Sequence, residues 1–409
     1  MDKYLDFKEA VSISLEIAQP TKLQEICNLE GSLGAVLAQD IFCVKNLPSF
    51  NNSAMDGFAI RAIDAGEKLK VIKTILAGQT SESCLKDNEC YKIMTGAKVP
   101  DDADTIIPIE NVLNYKNDEV TIKQNVIKNS SLRFKGEEKV QGDKLFNKGN
   151  VVTSGMIAIL ASQGITMISV FKKLQIAVVS TGNELKEPWE VANEDEIYNC
   201  NSYAIISLLN EKRYEATYIG VVPDSLDASM SFVNGLKNYD VIITTGGISM
   251  GDADFMAEAF EANGLDIAFH GVNIKPGRPI MMGKMDNTFV MCLPGNPLTA
   301  IVNMHLFVLP VLQKLQGNNA IYHDIDIATN IQNFKTKSGR VNVVLGNYKK
   351  GEYTVIRDNR YGSGMISMLN ESNCILVTAD DCSQIQEHSS VKIVKFNCLY
   401  TNNKIDLFN

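Results

Sequence analysis

The chain predicts a multidomain protein of the α/β class, and three observations carry that reading. From residue 173 onward, strand-like and helix-like runs alternate with short links, which is the rhythm of a mostly parallel sheet covered on both faces. Residues 47–142 are strand-like and rich in turns, and 323–409 return to short strands. At 409 residues the chain exceeds what one ordinary core organises, so about two to four domains are expected.

The elements follow in order. Phe7, Ala10, Val11, Ser14, Ile17 and Ala18 recur at helical spacing, and Pro20 stops that helix. The next zone carries strand-like runs such as "LKVIKTILAG" and "EVTIKQNVI". A short helix, "SGMIAILASQG" (154–164), then returns to the first zone. "LQIAVVSTG", "EATYIGVVPD" and "YDVIITTGG" read as strands, interleaved with the helices "NSYAIISLLNEK", "SLDASMSFVNGLKN" and "DADFMAEAFEANG". The strand-like runs "IAFHGVNIKPG" and "FVMCLPG" lead into the helix "NPLTAIVNMHLFVLPVLQKLQG". "RVNVVLG", "YTVIRD", "CILVTAD" and "SVKIVKF" suit a small barrel or sandwich. The expected domains are therefore 1–46 with 143–172 as a helical and extended linking domain, 47–142 as a β-rich domain, 173–322 as the α/β domain, and 323–409.

Composition narrows the function. Hydrophobic content of 45% and charged content of 21% are those of an ordinary globular chain. No apolar run reaches the roughly 18–20 residues that span a bilayer. The N-terminus "MDKYLDFKEAVSISLEIAQP" lacks the basic start and apolar centre of a signal peptide. A cytoplasmic protein without a membrane partner is expected. The nine cysteines are odd in number, scattered and without a CxxC pair, which suits reduced thiols. The four histidines are isolated and show no metal-ligand spacing. A net charge of −9 argues against nucleic acid as a partner, yet leaves room for a small anion held by a few local cations.

Parallel sheets bind ligands beyond the carboxyl ends of their strands. Three such ends, "STGNEL" (180–185), "VVPDSLD" (221–227) and "TTGGISMGDAD" (244–254), combine glycine with acids: Glu184, Asp224, and Asp252 with Asp254. Gly246 and Gly247 let a ligand approach the backbone, and a following helix N-terminus offers N–H groups to phosphate. Clustered carboxylates would repel each other and a phosphate unless a divalent cation joined them, with Mg²⁺ the usual bridge. Any one of these acids could equally be a helix N-cap. A fourth end, "NIKPGRP" (273–279), supplies Lys275 and Arg278 on a stiff turn, and "LPGNP" (293–297) forms a second. Cations on rigid loops suit an oxyanion or phosphate. The β-rich zone adds "LPSFNNSAMDGFAI", with Asp56 before Gly57, and "IMTGAKVPDDADTIIP", with Thr95 in a TG turn.

Taken together, "PSFNNSAMDGFA", "IMTGAKVPDDADTIIPIE", "RFKGEE", "VVSTGNEL", "TTGGISMGDAD", "IKPGRP" and "LPGNPLTA" resemble the molybdopterin molybdenumtransferase family, of the MoeA and gephyrin E-domain type. The resemblance implies a three-layer α/β/α domain that binds adenylylated molybdopterin, and a C-terminal β-barrel. It implies a Mg²⁺-dependent enzyme of molybdenum cofactor biosynthesis that takes molybdate, inserts molybdenum and releases AMP. It places catalytic roles on Asp56, Thr95, Glu184, Asp224 and Asp254, with Glu184, Asp224 and Asp254 as metal ligands. Substrate-binding positions are implied at Ser180, Thr181, Gly182, Asn201, Gly246, Gly247, Ser249 and Asp252. More are implied at Lys275, Pro276, Arg278, Pro294, Asn296 and Pro297, and at Arg340, Ser363 and Ser367 near the C-terminus. The family likeness also implies a homodimer whose active site is shared between subunits. It further implies transient contacts with the molybdopterin adenylyltransferase and with apo-molybdoenzymes.

The match has departures. Leu345 stands where the family carries an arginine associated with molybdate, Cys200 where it carries serine, and "GEE" (136–138) where GED is usual. Two other readings compete. The single-domain adenylyltransferase shares a GG turn but lacks the "SAMDGFA" domain, and a non-catalytic scaffold would have no need of the carboxylates.

Overall fold

Strand Ile176–Thr181 organises the larger part of the molecule. Ala216–Val222 and Val241–Thr245 pair with it in parallel on either side, and Thr288–Leu293 continues the parallel run beyond Val241–Thr245. Met281–Met285 and Leu265–His270 complete six strands. Alternate residues feed two cores, because successive side chains leave opposite faces of a strand. Ile176, Val178, Val241, Ile243 and Met291 pack on one face with Ile205, Leu209 and the helices from Pro297 onward. Ala177, Val179, Ile242, Val290 and Cys292 pack on the other with Val233, Met256 and Phe260. This is the expected three-layer, mostly parallel domain.

The computed structural model describes residues 4–79, 84–222, 225–248, 255–404 and 406–408. The chain divides into two compact units. Met1–Gln39, Gly149–Ser154 and Met167–Asn409 form one, and Asp40–Lys148 with Gly155–Thr166 form the other.

One departure from the sequence reading lies at Met281–Met285. This strand is antiparallel to both of its neighbours, and a two-residue turn joins it to Thr288–Leu293. Asp286 takes φ 54° there, the left-handed conformation that such hairpin turns need.

Helix Phe7–Ile17 forms as its spacing predicts, with the Asp6 carboxylate capping the N–H groups of Lys8 and Glu9. Its Phe7 ring meets Phe307 edge-on at 5.3 Å. A second departure concerns the helical run Pro297–Leu315. Its 19 residues are long and apolar enough to cross a membrane by length and composition, contrary to the expectation that no run would be. Interspersed polar residues such as Asn303, His305 and Gln313 hid its length, and 89% of its apolar window is buried, so its apolarity serves the core. A π turn, Met304–Val308, sits just before Pro310, which has no N–H to continue an α-helical ladder.

The C-terminal strands close into a five-stranded barrel. The order is Val341–Lys349, Glu352–Val355, Asp326–Asn330, Ser390–Lys395 and Cys374–Val377, the last pairing back onto the first. A short strand, Ile274–Lys275, pairs in parallel with Val341 and Asn342, so the basic turn of the α/β sheet is joined to the barrel wall.

In the other unit a six-stranded sheet runs in the order Thr105–Pro108, Gly57–Ile60, Glu89–Ile93, Lys68–Ile75, Glu119–Thr121, Asn114–Lys116. Gly57 is forced by packing: a Cβ there would stand 2.1 Å from the Ile107 carbonyl oxygen. All nine cysteines are free.

Candidate active site

The sheet has its topological switch at Ile176–Thr181, whose flanking strands follow it in sequence on opposite sides. The crevice at such a switch is where open α/β sheets take ligands. Thr181, Gly182, Gly246 and Gly247 all lie at that carboxyl edge.

The two glycines have a reason within the protein. Gly246 and Gly247 have φ of 88° and 64°, and a Cβ on them would fall 2.6 Å from the Thr181 carbonyl oxygen and 2.5 Å from Thr181 Oγ1. The GG turn therefore lies against Thr181, whose Oγ1 is buried and, among the described residues, without a hydrogen-bond partner. Asn201 ties the same edge together. Its Nδ2 donates to Thr245 Oγ1 at 2.7 Å and to the Gly295 carbonyl at 2.8 Å. Thr245 Oγ1 in turn donates to the Pro294 carbonyl. Ser180 is wholly buried, and its hydroxyl is shared with Asn199 Oδ1 at 3.1 Å and Ser202 Oγ at 2.6 Å. Asn199 also donates to Tyr218 Oη, which donates to Glu187. Burial and the neighbouring Glu187 charge push the Tyr218 phenol well above its ordinary value. Ser180 and Asn201 thus shape the edge from below.

Glu184 is exposed, and its carboxylate lies over Gly182, where a Cβ would meet both of its oxygens at 2.7 Å. Asp224, Ser249, Asp252 and Asp254 lie outside the described residues. Among the described residues no group of three His, Cys, Asp or Glu is placed to hold a metal. Of the expected metal ligands only Glu184 is described, so the test of a Mg²⁺ site rests on the donor chemistry at this edge. A carboxylate over Gly182 and an unpartnered hydroxyl on Thr181 are hard oxygen donors, which that cation prefers.

The basic turn opens onto a cavity of about 730 Å³ between the sheet edge and the barrel. Lys275, Arg278, Lys335, Lys337 and Arg340 line it, and among the described residues no carboxylate does. Pro276, Pro294, Asn296 and Ser363 lie on its wall, and Asn296 Nδ2 donates to Ser363 Oγ at 3.1 Å. Asn303 holds the turn from behind, donating to the Gly277 carbonyl at 3.1 Å. The Arg278 guanidinium stacks 4.5 Å from the Tyr4 ring centroid. Pro297 opens the following helix, and Ser367 opens the short helix Ser367–Glu371; neither lines the cavity.

Leu345 is 1% exposed and packs in the core with Val341 and Val343. It adds no charge to the cavity, while its N–H donates to Tyr361 Oη at 2.7 Å. Burial raises the Tyr361 phenol to about 12. The sequence reading missed Lys335, Lys337, Thr299, Asn342 and Tyr361. The alternating cations of "KTKSGR" were the available signal for the lysines.

In the other unit Asp56 and Thr95 form a pair. The Thr95 N–H and Oγ1 both donate to Asp56 Oδ1, at 2.7 and 2.8 Å. These bonds, the backbone one foremost, hold the exposed carboxyl below its ordinary 3.8.

The chain is similar to known proteins over most of its length. Residues 5–164 match the MoeA N-terminal region (domain I and II), and 177–314 match the probable molybdopterin binding domain. A molybdopterin molybdenumtransferase of Haemophilus influenzae is 32% identical over 384 residues, covering 92% of this chain and 94% of that protein. One from Staphylococcus aureus is 32% identical over 362 residues, 85% of each chain. A solved molybdopterin biosynthesis moeA protein from Pyrococcus horikoshii superposes with a TM-score of 0.84 at 27% identity, over 96% of this chain and all of that one. The match to the N-terminal region covers the segment that a single-domain adenylyltransferase lacks. The chain belongs to the molybdopterin molybdenumtransferase family, enzymes of molybdenum cofactor biosynthesis.

Proposed function

We propose that this chain inserts molybdenum from molybdate into adenylylated molybdopterin and releases AMP, as a Mg²⁺-dependent cytoplasmic homodimer. The observation that carries the reading is the cavity: five cations and, among the described residues, no carboxylate, beside the switch point of a chain whose net charge is −9. In the reaction, molybdenum–sulfur bonds form to the dithiolene as oxo groups of molybdate leave as water. The phosphoanhydride P–O bond breaks as a water oxygen adds to phosphorus, and no electrons change hands.

Lys275, Arg278, Arg340 and Ser363 hold the oxyanion on stiff turns made by Pro276, Pro294 and Asn296, at little entropic cost. Thr181, Gly182, Gly246 and Gly247, with Ser249 and Asp252, receive the nucleotide and pterin, supported beneath by Ser180 and Asn201. Pro297 starts the helix whose Leu298 and Thr299 line the cavity, and Ser367 starts the short helix that follows Ser363 in the chain. Glu184, Asp224 and Asp254 hold the cation; bound there, Mg²⁺ would offset phosphate charge and polarise the phosphoryl oxygens. Asp56 is kept ionised by Thr95 and positions the attacking water with Asp254. In the dimer, Asp56 and Thr95 act on substrate held by the partner subunit. Contacts with the adenylyltransferase that supplies the substrate and with apo-molybdoenzymes that receive the product are transient.

The test is AMP release from adenylylated molybdopterin, with Mg²⁺, in the presence and absence of molybdate. Release that requires molybdate and is lost in Asp254→Ala supports the reading. Consumption of Mg-ATP to adenylylate molybdopterin would replace it with the adenylyltransferase, and binding without either reaction with the scaffold.

A further inference from the structure

We propose that Lys335 and Lys337, on the barrel side of the cavity, bind the oxyanion directly and set its affinity together with the basic turn on the sheet side. This rests on the reading that the cavity takes molybdate.

Three observations lead there. First, the lysines stand on a held segment of the cavity wall. Phe334 is buried in the barrel core, and Thr336 is bonded to the neighbouring segment through its N–H to Ser383 and its Oγ1 to the Cys382 carbonyl. Lys335 and Lys337 flank Thr336, all three line the cavity, and both lysines are exposed with their ammonium groups free of that anchoring.

Second, the loop that carries Lys337 and Arg340 is fixed in advance, while Lys335 is held by strand pairing with Gln384. Asn342 is buried, and its Oδ1 accepts the Lys337 N–H at 3.2 Å while its Nδ2 donates to the carbonyls of Lys337 and Arg340, each at 3.0 Å. One amide thus clamps residues 337–340 against the barrel wall, which is itself paired with Ile274–Lys275. Both cationic arms are anchored to the same strand.

Third, the cavity has unmet polar capacity. Among the described residues Arg340 Nε is buried without a partner, and so is Oγ1 of Thr299, which is 2% exposed and lines the wall. Among the same residues none of the five cations forms an ion pair, although the chain holds 48 acidic residues. Like charges gathered without counter-charges repel one another, and a tetrahedral dianion relieves that repulsion while accepting the idle N–H and O–H groups.

The experiment is calorimetric titration of the full chain with sodium molybdate. Four proteins are compared: wild type, Lys335→Gln with Lys337→Gln, Lys335→Arg with Lys337→Arg, and Lys275→Gln as the sheet-side reference. The glutamine pair is expected to weaken binding about ten-fold and to flatten its salt dependence, whereas the arginine pair stays within about three-fold. In the molybdate-dependent release of AMP, the glutamine pair raises KM for molybdate by more than it lowers kcat. Both lysines are exposed, so melting without molybdate should match wild type and exclude misfolding as the cause. Unchanged affinity in the glutamine pair, alongside weakened binding in Lys275→Gln, would overturn this inference and leave the proposed function standing. No molybdate binding by the wild type would overturn both.

Discussion

Asn201 separates a residue that shapes the site from one that touches the ligand. The family resemblance makes it a substrate contact, whereas its amide is already engaged with Thr245 and Gly295. Asn201→Ala removes both bonds from a nearly buried position. At about 1 kcal/mol net for each bond, plus about 1–3 kcal/mol for leaving the Gly295 carbonyl unpaired, the loss is about 3–5 kcal/mol. Thr245 Oγ1 keeps its bond to the Pro294 carbonyl, which favours the lower half of that range. The damage should be local. Gly246 N–H donates to the Leu293 carbonyl at 3.1 Å on the same edge, so its hydrogen exchange should speed up as the strand ends part. Urea unfolding and exchange at Gly246 are the measurements. Unchanged stability and exchange, combined with a collapse in affinity for adenylylated molybdopterin, would refute the reasoning and make Asn201 a direct ligand contact.

Gly247→Ala places a Cβ 2.5 Å from Thr181 Oγ1 at a φ of 64°, and should lower urea-unfolding stability by about 1–3 kcal/mol even without ligand. Thr95→Val removes one of the two bonds that lower the Asp56 pKa. The acid limb of the pH–rate profile should therefore move up towards 3.8, and an unmoved limb would mean that Asp56 does not set it. His305 and His323 are buried and neutral, with pKa values pushed from 6.5 to about 3 and about 4, chiefly by burial. Between those values and 6.5 the unfolded chain binds protons that the folded chain does not. Stability should accordingly fall as pH drops from about 6.5 towards 4, and a urea midpoint that is flat across that window would contradict the burial.

The parts of the fold legible in the sequence are those where one burial pattern runs through a whole element. Ile176–Thr181 and Val241–Thr245 are buried at every position, so their apolar runs stand out between polar helix caps. Met281–Met285 escaped notice because "IMMGKMDNTFVMC" reads as one apolar stretch, and only the Asp286–Asn287 turn divides it. Asp326–Asn330 was hidden for the opposite reason. Its Ile327 is exposed and its Ala328 and Asn330 are buried, which inverts the alternation that marks a half-buried strand.

The site divides along a similar line. Thr181, Gly182, Gly246 and Gly247 lie beside the strands that place them, so short motifs reveal them. Lys335, Lys337 and Asn342 reach the basic turn only because Ile274 and Lys275 pair with Val341 and Asn342, some 67 residues along the chain. No local pattern encodes such a meeting. It also explains how an acidic chain can present a cationic cavity. The acids of the sheet edge and the cations of the turn come from successive strand ends, and the barrel then adds charge to one side alone. The Arg340 Nε and Thr299 Oγ1 left idle there follow from that one-sided assembly, since the protein brings cationic donors to the cavity from two elements and described carboxylates from neither.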